Sequence, residues 1–266
     1  PTRTMIPIGI SEILKAVDGT LLWGDENGVV TNVVTDSRKA GKGSLFVPIV
    51  GERVDAHRFI PQVMQAGAGV TFSSRKDVAP AASGCCIYVE DTLAALQKAA
   101  AYYRSRFDIP VIGVTGSVGK TTTKEMISAV LEKKYRVVKT QGNWNSQIGV
   151  AMMMFELEPE TELAIFEMGM SLPGEMARLV EIAKPQTAVM TNIGVSHIGN
   201  LGSRENIAKE KGHIVKYVGT SHDGKLYICG NGDMKQITRE NVPYSLCEAK
   251  CPICYYGTEA DCEARD

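Results

Sequence analysis

Gly113-Val114-Thr115-Gly116-Ser117-Val118-Gly119-Lys120-Thr121-Thr122-Thr123 follows the apolar pair Val111-Ile112 and leads into a helical pattern. A glycine-rich turn between a strand and a helix is the setting of a phosphate-binding loop. Glycines let backbone N–H groups approach phosphate oxygens, and the helix points the positive end of its dipole at the same anion. Lys120 would neutralise β- and γ-phosphates and Thr121 would offer its hydroxyl to Mg²⁺. The pattern is G-x-x-G-x-x-G-K-T-T, with Val114 where the strict G-x-x-x-x-G-K-[ST] motif has its first glycine.

Outward from this loop, strands and helices alternate. Helices are expected over 120–133, 146–155, 174–183 and 203–218, and strands over 136–139, 163–167, 187–191 and 226–229. Repeated βα units imply a parallel sheet flanked by helices, with ligands gathered at the carboxyl ends of its strands. That rule singles out 113–121, Glu167-Met168-Gly169 and 191–197, the last ending at His197. Upstream, short apolar segments at 29–34, 45–50 and 70–72, with an amphipathic stretch at 57–66, read as a smaller α/β unit. A helix over 92–107, capped by Asp91-Thr92, reads as the lead-in to the second domain. The expected organisation is α/β throughout, with a small N-terminal domain at 1–87 and a parallel-sheet nucleotide-binding domain at 88–266.

Composition bounds the function. The 266 residues carry a net charge of −1, with 44% hydrophobic and 22% charged residues. This is the profile of a globular protein, and it argues against nucleic acid or a membrane surface as the main partner. No apolar run approaches the roughly 18 residues of a membrane span, so a cytoplasmic location is expected. Four of the seven cysteines, Cys247, Cys251, Cys254 and Cys262, crowd the C-terminal end. They read either as a zinc site, from the Cys251-Pro-Ile-Cys254 spacing, or as free thiols, with 253–256 a short strand.

Several side chains could carry chemistry. Glu167 ends an apolar strand near the loop and suits Mg²⁺ as a hard oxygen ligand. Lys211 falls on the apolar stripe of Ile207, Ile214, Val215 and Val218, whereas Lys209, His213 and Lys216 lie opposite. A lysine on a buried face either snorkels outward or is held there for a purpose. Asn143 and Asn145 follow a strand and could donate to a sugar or phosphate.

Together these residues resemble the Mur ligase family of peptidoglycan precursor synthesis, and within it the branch that joins D-alanyl-D-alanine to UDP-N-acetylmuramoyl-tripeptide. The matching stretches are Thr35-Asp36-Ser37-Arg38, 43–47 and 51–60 in the first domain. In the second they are 115–125, 142–150, 167–169, 191–197 and 201–211. The chain departs from the family pattern at Ser146, Ala151 and Met234.

The resemblance implies an ATP- and Mg²⁺-dependent amide ligase of cell-wall synthesis that works through an acyl phosphate, as a monomer, on the two substrates just named. It implies ATP contacts from Gly113, Thr115, Gly116, Ser117, Gly119, Lys120, Thr121, Thr122 and Asn143. Metal ligation would come from Thr121, Glu167, His197 and Lys211, the lysine as a carbamate. Lys120, Lys211 and His197 would be catalytic, and Ser37, Arg38, Asp55 and His57 would hold the UDP end. The family's third domain is not matched, so residues 1–266 read as a truncated chain expected to be inactive alone. Two alternatives stand beside this reading: another family branch, such as one extending a UDP-muramoyl dipeptide, and a nucleotide-binding module without ligase chemistry.

Overall fold

A computed structural model describes residues 5–257, which fall into two compact units. The first comprises residues up to Phe107 together with Met154–Pro159, and the second comprises Asp108–Met153 and residues from Glu160 onward.

The first unit contains, in order, β1 (Ile8–Gly9), α1 (Ile10–Ala16), β2 (Thr20–Trp23), β3 (Val29–Val30), β4 (Asn32–Val34), β5 (Ser44–Phe46), α2 (Ile60–Gln65), β6 (Val70–Ser73), β7 (Cys85–Tyr88) and α3 (Thr92–Arg104). Its main sheet runs β2-β7-β6-β5-β4, with only β2 antiparallel to its neighbour. The apolar segment at 29–34 is two strands, because β3 pairs with β1 and β4 joins the main sheet. The chain is diverted between them, where the Thr31 N–H donates to the Gly43 carbonyl at 2.9 Å. Gly43 has φ +78°, and a Cβ there would meet the Thr31 hydroxyl.

The helix read as the lead-in to the second domain belongs to the first unit, which moves the boundary from 87/88 to 107/108. The physical reason is Tyr103, a fully buried residue of α3. Its hydroxyl accepts from the Ile6 N–H at 2.9 Å and donates to the Leu157 carbonyl at 2.6 Å, while its ring packs against Phe107 and Phe155. The side chain thus ties the C-terminal end of α3, the backbone at Ile6 and the segment 154–159 into one core.

The second unit contains β8 (Val111–Thr115), α4 (Lys120–Leu131), β9 (Val137–Lys139), α5 (Gln147–Met154), β10 (Leu163–Glu167), α6 (Glu175–Ala183), β11 (Thr187–Met190), α7 (Ile198–Leu201), α8 (Arg204–Gly212), β12 (Leu226–Cys229), α9 (Met234–Asn241) and β13 (Ile253–Tyr256). Its six strands are all parallel, in the order β13-β12-β11-β8-β10-β9. The chain runs to one edge after β8, then returns and crosses to the other side. This places β8 where the strand order reverses, and the crevice at such a point is where open α/β sheets take ligands. Register aligns Glu167 with Val114 and Met190 with Thr115, so the ends of β10, β8 and β11 lie side by side.

The helix expected over 203–218 stops at Gly212 and continues as a single 3-10 turn, His213–Val215. The apolar stripe survives the change: Ile207, Lys211, Ile214, Val215 and Val218 are all buried, and Lys209 is exposed. Among the described residues no helix is long and apolar enough to cross a membrane.

Candidate nucleotide and metal site

The loop 116–119 joins β8 to α4. Gly116 has φ +146°, and a Cβ on it would stand 1.9 Å from the Thr191 hydroxyl, so no other residue fits without displacing that side chain. Gly119, in the left-handed region at φ +82°, is the N-cap of α4, and no side chain caps the helix. The first N–H groups of an α-helix have no partner within it. Uncapped at the end of a 12-residue helix, they form an anion site in the sense expected from the sequence.

At the helix start, the Thr121 hydroxyl donates to Glu167 Oε2 at 2.9 Å, and Asn145 Nδ2 donates to Glu167 Oε1 at 2.8 Å. Glu167 is 2% exposed, and its own N–H donates to the Thr140 hydroxyl at 2.8 Å. A hydroxyl and a carboxylate presented together beside an anion site are the hard-oxygen donors that Mg²⁺ on a polyphosphate needs. Lys120 Nζ donates to the Gly116 carbonyl at 2.9 Å, folded over the loop.

Lys211 is 1% exposed and has no hydrogen bond or ion pair among the described residues. Burial, with Lys120 nearby adding repulsion, pushes its ammonium down to about 8. A lysine with a lowered pKa holds a larger neutral fraction near physiological pH, the form that reacts with CO₂ to give a carbamate. The residues present therefore fit a nucleotide with its divalent cation.

The structure redraws several expected contacts. Gly113 lies inside β8, beneath the loop. Its missing Cβ makes room for Met168, Ile214 and Pro185, all within 3.1 Å of where that atom would be, so it serves packing. Thr115 also belongs to β8 and is fully buried, its hydroxyl without a partner among the described residues. The Ser117 N–H, expected to contact ATP, donates to Asn192 Oδ1 at 3.0 Å, and the Val118 N–H donates to the same oxygen at 2.8 Å. The Ser117 hydroxyl accepts from the Gly194 N–H. Donors left open to an anion thus begin at Gly119, with Lys120, Thr121 and Thr122.

Asn143 is exposed and offers its carbonyl to the Asn145 N–H; the side chain that reaches the site is Asn145. His197 is exposed and holds φ +68°, a left-handed conformation uncommon outside glycine. Among the described residues no three His, Cys, Asp or Glu side chains converge as a metal cluster. Cys247, Cys251 and Cys254 likewise form no such cluster among the described residues, and Cys262 lies outside them. Cys247 and Cys251 are free thiols, and burial beside Cys247 pushes Cys251 up to about 12.

Sequence reasoning missed Thr140, Asn192 and Arg204. Arg204 grips the Ile193 carbonyl with Nε at 3.1 Å and Nη2 at 2.8 Å and pairs with Asp233 at 2.7 Å. Met234, one of the departures from the family pattern, accepts from the Ile193 N–H through Sδ at 3.1 Å. The loop carrying Asn192 is therefore held from both sides. Arg204-x-x-x of the helix start carried a signal in its charge, but nothing in the spacing named its target.

In the first unit, Asp36 accepts from the Arg38 N–H and pairs with its guanidinium, which holds Asp36 down at about 2. Arg38 is thereby fixed with its side chain 84% exposed, next to half-buried Ser37. Asp55 and His57 differ from free ligands. His57 Nε2 accepts from the Ser74 N–H at 2.9 Å, so its proton sits on Nδ1 and is donated to Asp55 Oδ1 at 2.6 Å. Asp55 also takes the His57 N–H and the Arg75 guanidinium. The pair, with His57 buried and Asp55 half-buried, braces the 3-10 turn Ala56–Phe59 against the end of β6. His57 borders a cavity of 680 Å³ with Arg58, Met64, Arg75, Val78 and Pro80, whereas Ser37, Arg38 and Asp55 do not line it.

Comparison with known proteins agrees with this geometry. Residues 114–264 match the family described as "Mur ligase middle domain", and residues 29–104 match "Mur ligase family, catalytic domain". The UDP-N-acetylmuramoyl-tripeptide–D-alanyl-D-alanine ligase of Bacillus subtilis is 44% identical over 190 residues, covering 71% of this chain and 42% of that protein. The ligase of the same name from Synechocystis is 46% identical over 62% of this chain and 36% of its own length. The chain thus spans about two-fifths of the curated relatives it matches. Among solved structures, MurF from Acinetobacter baumannii superposes with a TM-score of 0.85 at 31% identity, over 97% of this chain and 55% of that one. MurF from Thermotoga maritima, solved with ADP, gives 0.74 at 30% identity, over 86% and 51%. A parallel sheet with an uncapped helix behind its glycine loop, a match to the middle domain over more than half the chain, and close structural neighbours all agree: the chain belongs to the Mur ligase family.

Proposed function

We propose that this chain forms the substrate- and ATP-binding part of an ATP- and Mg²⁺-dependent amide ligase that joins D-alanyl-D-alanine to UDP-N-acetylmuramoyl-tripeptide in the cytoplasm. The observation that carries the reading is the Thr121 hydroxyl resting on Glu167 at the uncapped start of α4. The 44% identity to the Bacillus subtilis ligase supports the choice of substrates.

In this reading a carboxylate oxygen of the tripeptide attacks the γ-phosphorus of ATP and ADP leaves. The amine of D-alanyl-D-alanine then attacks the acyl carbon, and phosphate leaves with that oxygen. Positioning and charge neutralisation are most of what the first step asks of a protein. Lys120 turns from the Gly116 carbonyl onto the β- and γ-phosphates, and the α4 N–H groups from Lys120 to Thr122 bind the same oxygens. When bound, Mg²⁺ screens the charge on those phosphates. Thr121, Glu167, His197 and the carbamate of Lys211 would hold it, with Asn145 orienting Glu167. Ser37 and Arg38 meet the UDP end, and the Asp55–His57 brace shapes the ground beneath it.

The test is product analysis with the full-length protein. Mass spectrometry should find the UDP-muramoyl pentapeptide from tripeptide, D-alanyl-D-alanine and ATP. Extension of a UDP-muramoyl dipeptide by a single amino acid, with no pentapeptide formed, would transfer the chain to another branch.

A further inference from the structure

Helix α4 turns a lysine inward and hydrophobic residues outward. Lys124 is 1% exposed, while Met126 and Val130 are 67% and 71% exposed. An ammonium is costly to bury unless its hydrogen bonds are supplied. Lys124 Nζ donates to the Thr140 carbonyl at 2.8 Å and pairs with Glu125 at 3.0 Å. Glu125 is half exposed and is itself tied to Lys139 at 2.7 Å, so this ion pair lies at the rim.

Thr140 is the inner end of the connection. It follows β9, is 1% exposed, and donates its N–H to the Ile165 carbonyl at 3.0 Å. Its hydroxyl accepts from the Glu167 N–H at 2.8 Å, fixing the backbone from which that carboxylate springs. The loop that delivers Asn145 to the other carboxylate oxygen begins at the next residue. One ammonium therefore pins the residue from which both supports of Glu167 start. A methionine would fill the same space yet leave the Thr140 carbonyl buried without a donor.

We infer that Lys124 is a positioning residue, whose contact with Thr140 sets the Glu167 carboxylate for the divalent cation of a bound nucleotide. The inference rests on reading this site as a nucleotide and Mg²⁺ site. Residues that orient metal ligands typically alter metal affinity by about 10–100-fold when removed.

The experiment compares Lys124→Met, Thr140→Val, their combination and Glu125→Gln in the full-length protein. The first readout is hydrogen exchange at the Glu167 amide without ligand. The second is the Mg²⁺ concentration that half-restores binding of a fluorescent ADP, against a baseline in EDTA. Lys124→Met and Thr140→Val should each speed exchange at Glu167 and raise that Mg²⁺ concentration about tenfold. Binding in EDTA should stay within about twofold, since the α4 N–H groups and Lys120 are intact. The double variant should be no worse than the poorer single one, and Glu125→Gln should match wild type.

Unchanged Mg²⁺ dependence in folded Lys124→Met overturns the inference, whatever Thr140→Val shows. So does an equal defect in Glu125→Gln, which would assign the effect to the ion pair. If Lys124→Met fails to fold, Lys124→Gln, whose shorter side chain loses the bond to the Thr140 carbonyl, decides by the same two readouts. Absence of Mg²⁺-dependent nucleotide binding in wild type overturns the functional reading itself, a result distinct from any of these.

Discussion

The Thr121 hydroxyl lies 2.9 Å from Glu167 Oε2, bridging the first turn of α4 and the end of β10. The two residues are 46 positions apart, and the parallel register of β10 with β8 is what brings them together. The hydroxyl donates to one carboxylate oxygen, so the two oxygen groups are held side by side where the strand ends and the helix begins. Preorganisation of this kind lowers the cost of binding.

Glu167→Gln keeps an acceptor for Thr121 and removes the charge. It should lower Mg²⁺-dependent turnover at least 100-fold while the protein melts within a few degrees of wild type. A steady-state Mg²⁺ titration reads this, and wild-type turnover in the variant would remove Glu167 from the metal site.

Lys120→Ala should abolish ATP turnover and leave binding of the UDP-linked substrate nearly intact, because Lys120 belongs to the second unit and Ser37 and Arg38 to the first. Calorimetry with each ligand separately measures the split. Loss of UDP-substrate binding comparable to the loss of turnover would contradict the division.

Lys211→Met should stabilise the unliganded protein at pH 7 while abolishing ligation. The folded value of about 8 lies below the ordinary 10.5, so the unfolded chain binds more protons between those values and stability rises with pH there. Below about pH 8 the folded state carries the whole penalty of the buried charge, about 3 kcal/mol at about 1.36 kcal/mol per pH unit. The advantage of the variant should therefore be full at pH 7 and shrink from pH 8 towards 10.5. Melting curves in bicarbonate-free buffer test it; a variant less stable than wild type at pH 7 would show that the amine is already compensated.

Lys211→Ala should abolish ligation and Lys209→Ala should not, because only the former side chain is buried. Activity should also fall when dissolved CO₂ is stripped, and recover with bicarbonate. Equal loss from both substitutions would refute the assignment of Lys211.

His57→Ala leaves the Ser74 N–H and the Asp55 carboxylate each short of a partner. The cost should be about 1–3 kcal/mol, read from Trp23 fluorescence during denaturation with Trp144 replaced by phenylalanine. Burial works to raise the Asp55 carboxyl, but the His57 N–H, its ring and Arg75 outweigh it and carry the group below its ordinary value. Its contribution should be complete above about pH 4 and fade as pH falls through the lowered value. A brace that could be deleted without loss of stability would return His57 to the ligand role.

The second unit was legible because its central strands β8, β10 and β11 are buried on both faces and its helices carry one apolar stripe. Each leaves a period in the sequence. The inward face of Lys211 followed from that period alone. Helix α9 was not legible: only Met234, Ile237 and Thr238 face inward among polar neighbours. Nor was the split at Thr31, which depends on a bond to Gly43 twelve residues away. The loop's glycines pointed to phosphate, but sequence could not show Asn192 taking two of its N–H groups, since that contact spans about 75 residues. The structural role of His57 was hidden for the same reason: Ser74 and Arg75 reach it only through the sheet.

The most direct test of acyl-phosphate ligation follows one atom. UDP-N-acetylmuramoyl-tripeptide labelled with ¹⁸O in its terminal carboxylate is incubated with the full-length protein, ATP, Mg²⁺ and D-alanyl-D-alanine, and the released phosphate is analysed by mass spectrometry. One ¹⁸O should appear in each phosphate, with one amide formed per ADP. Unlabelled phosphate, or phosphate released at the same rate without the dipeptide or the muramoyl substrate, would contradict the account.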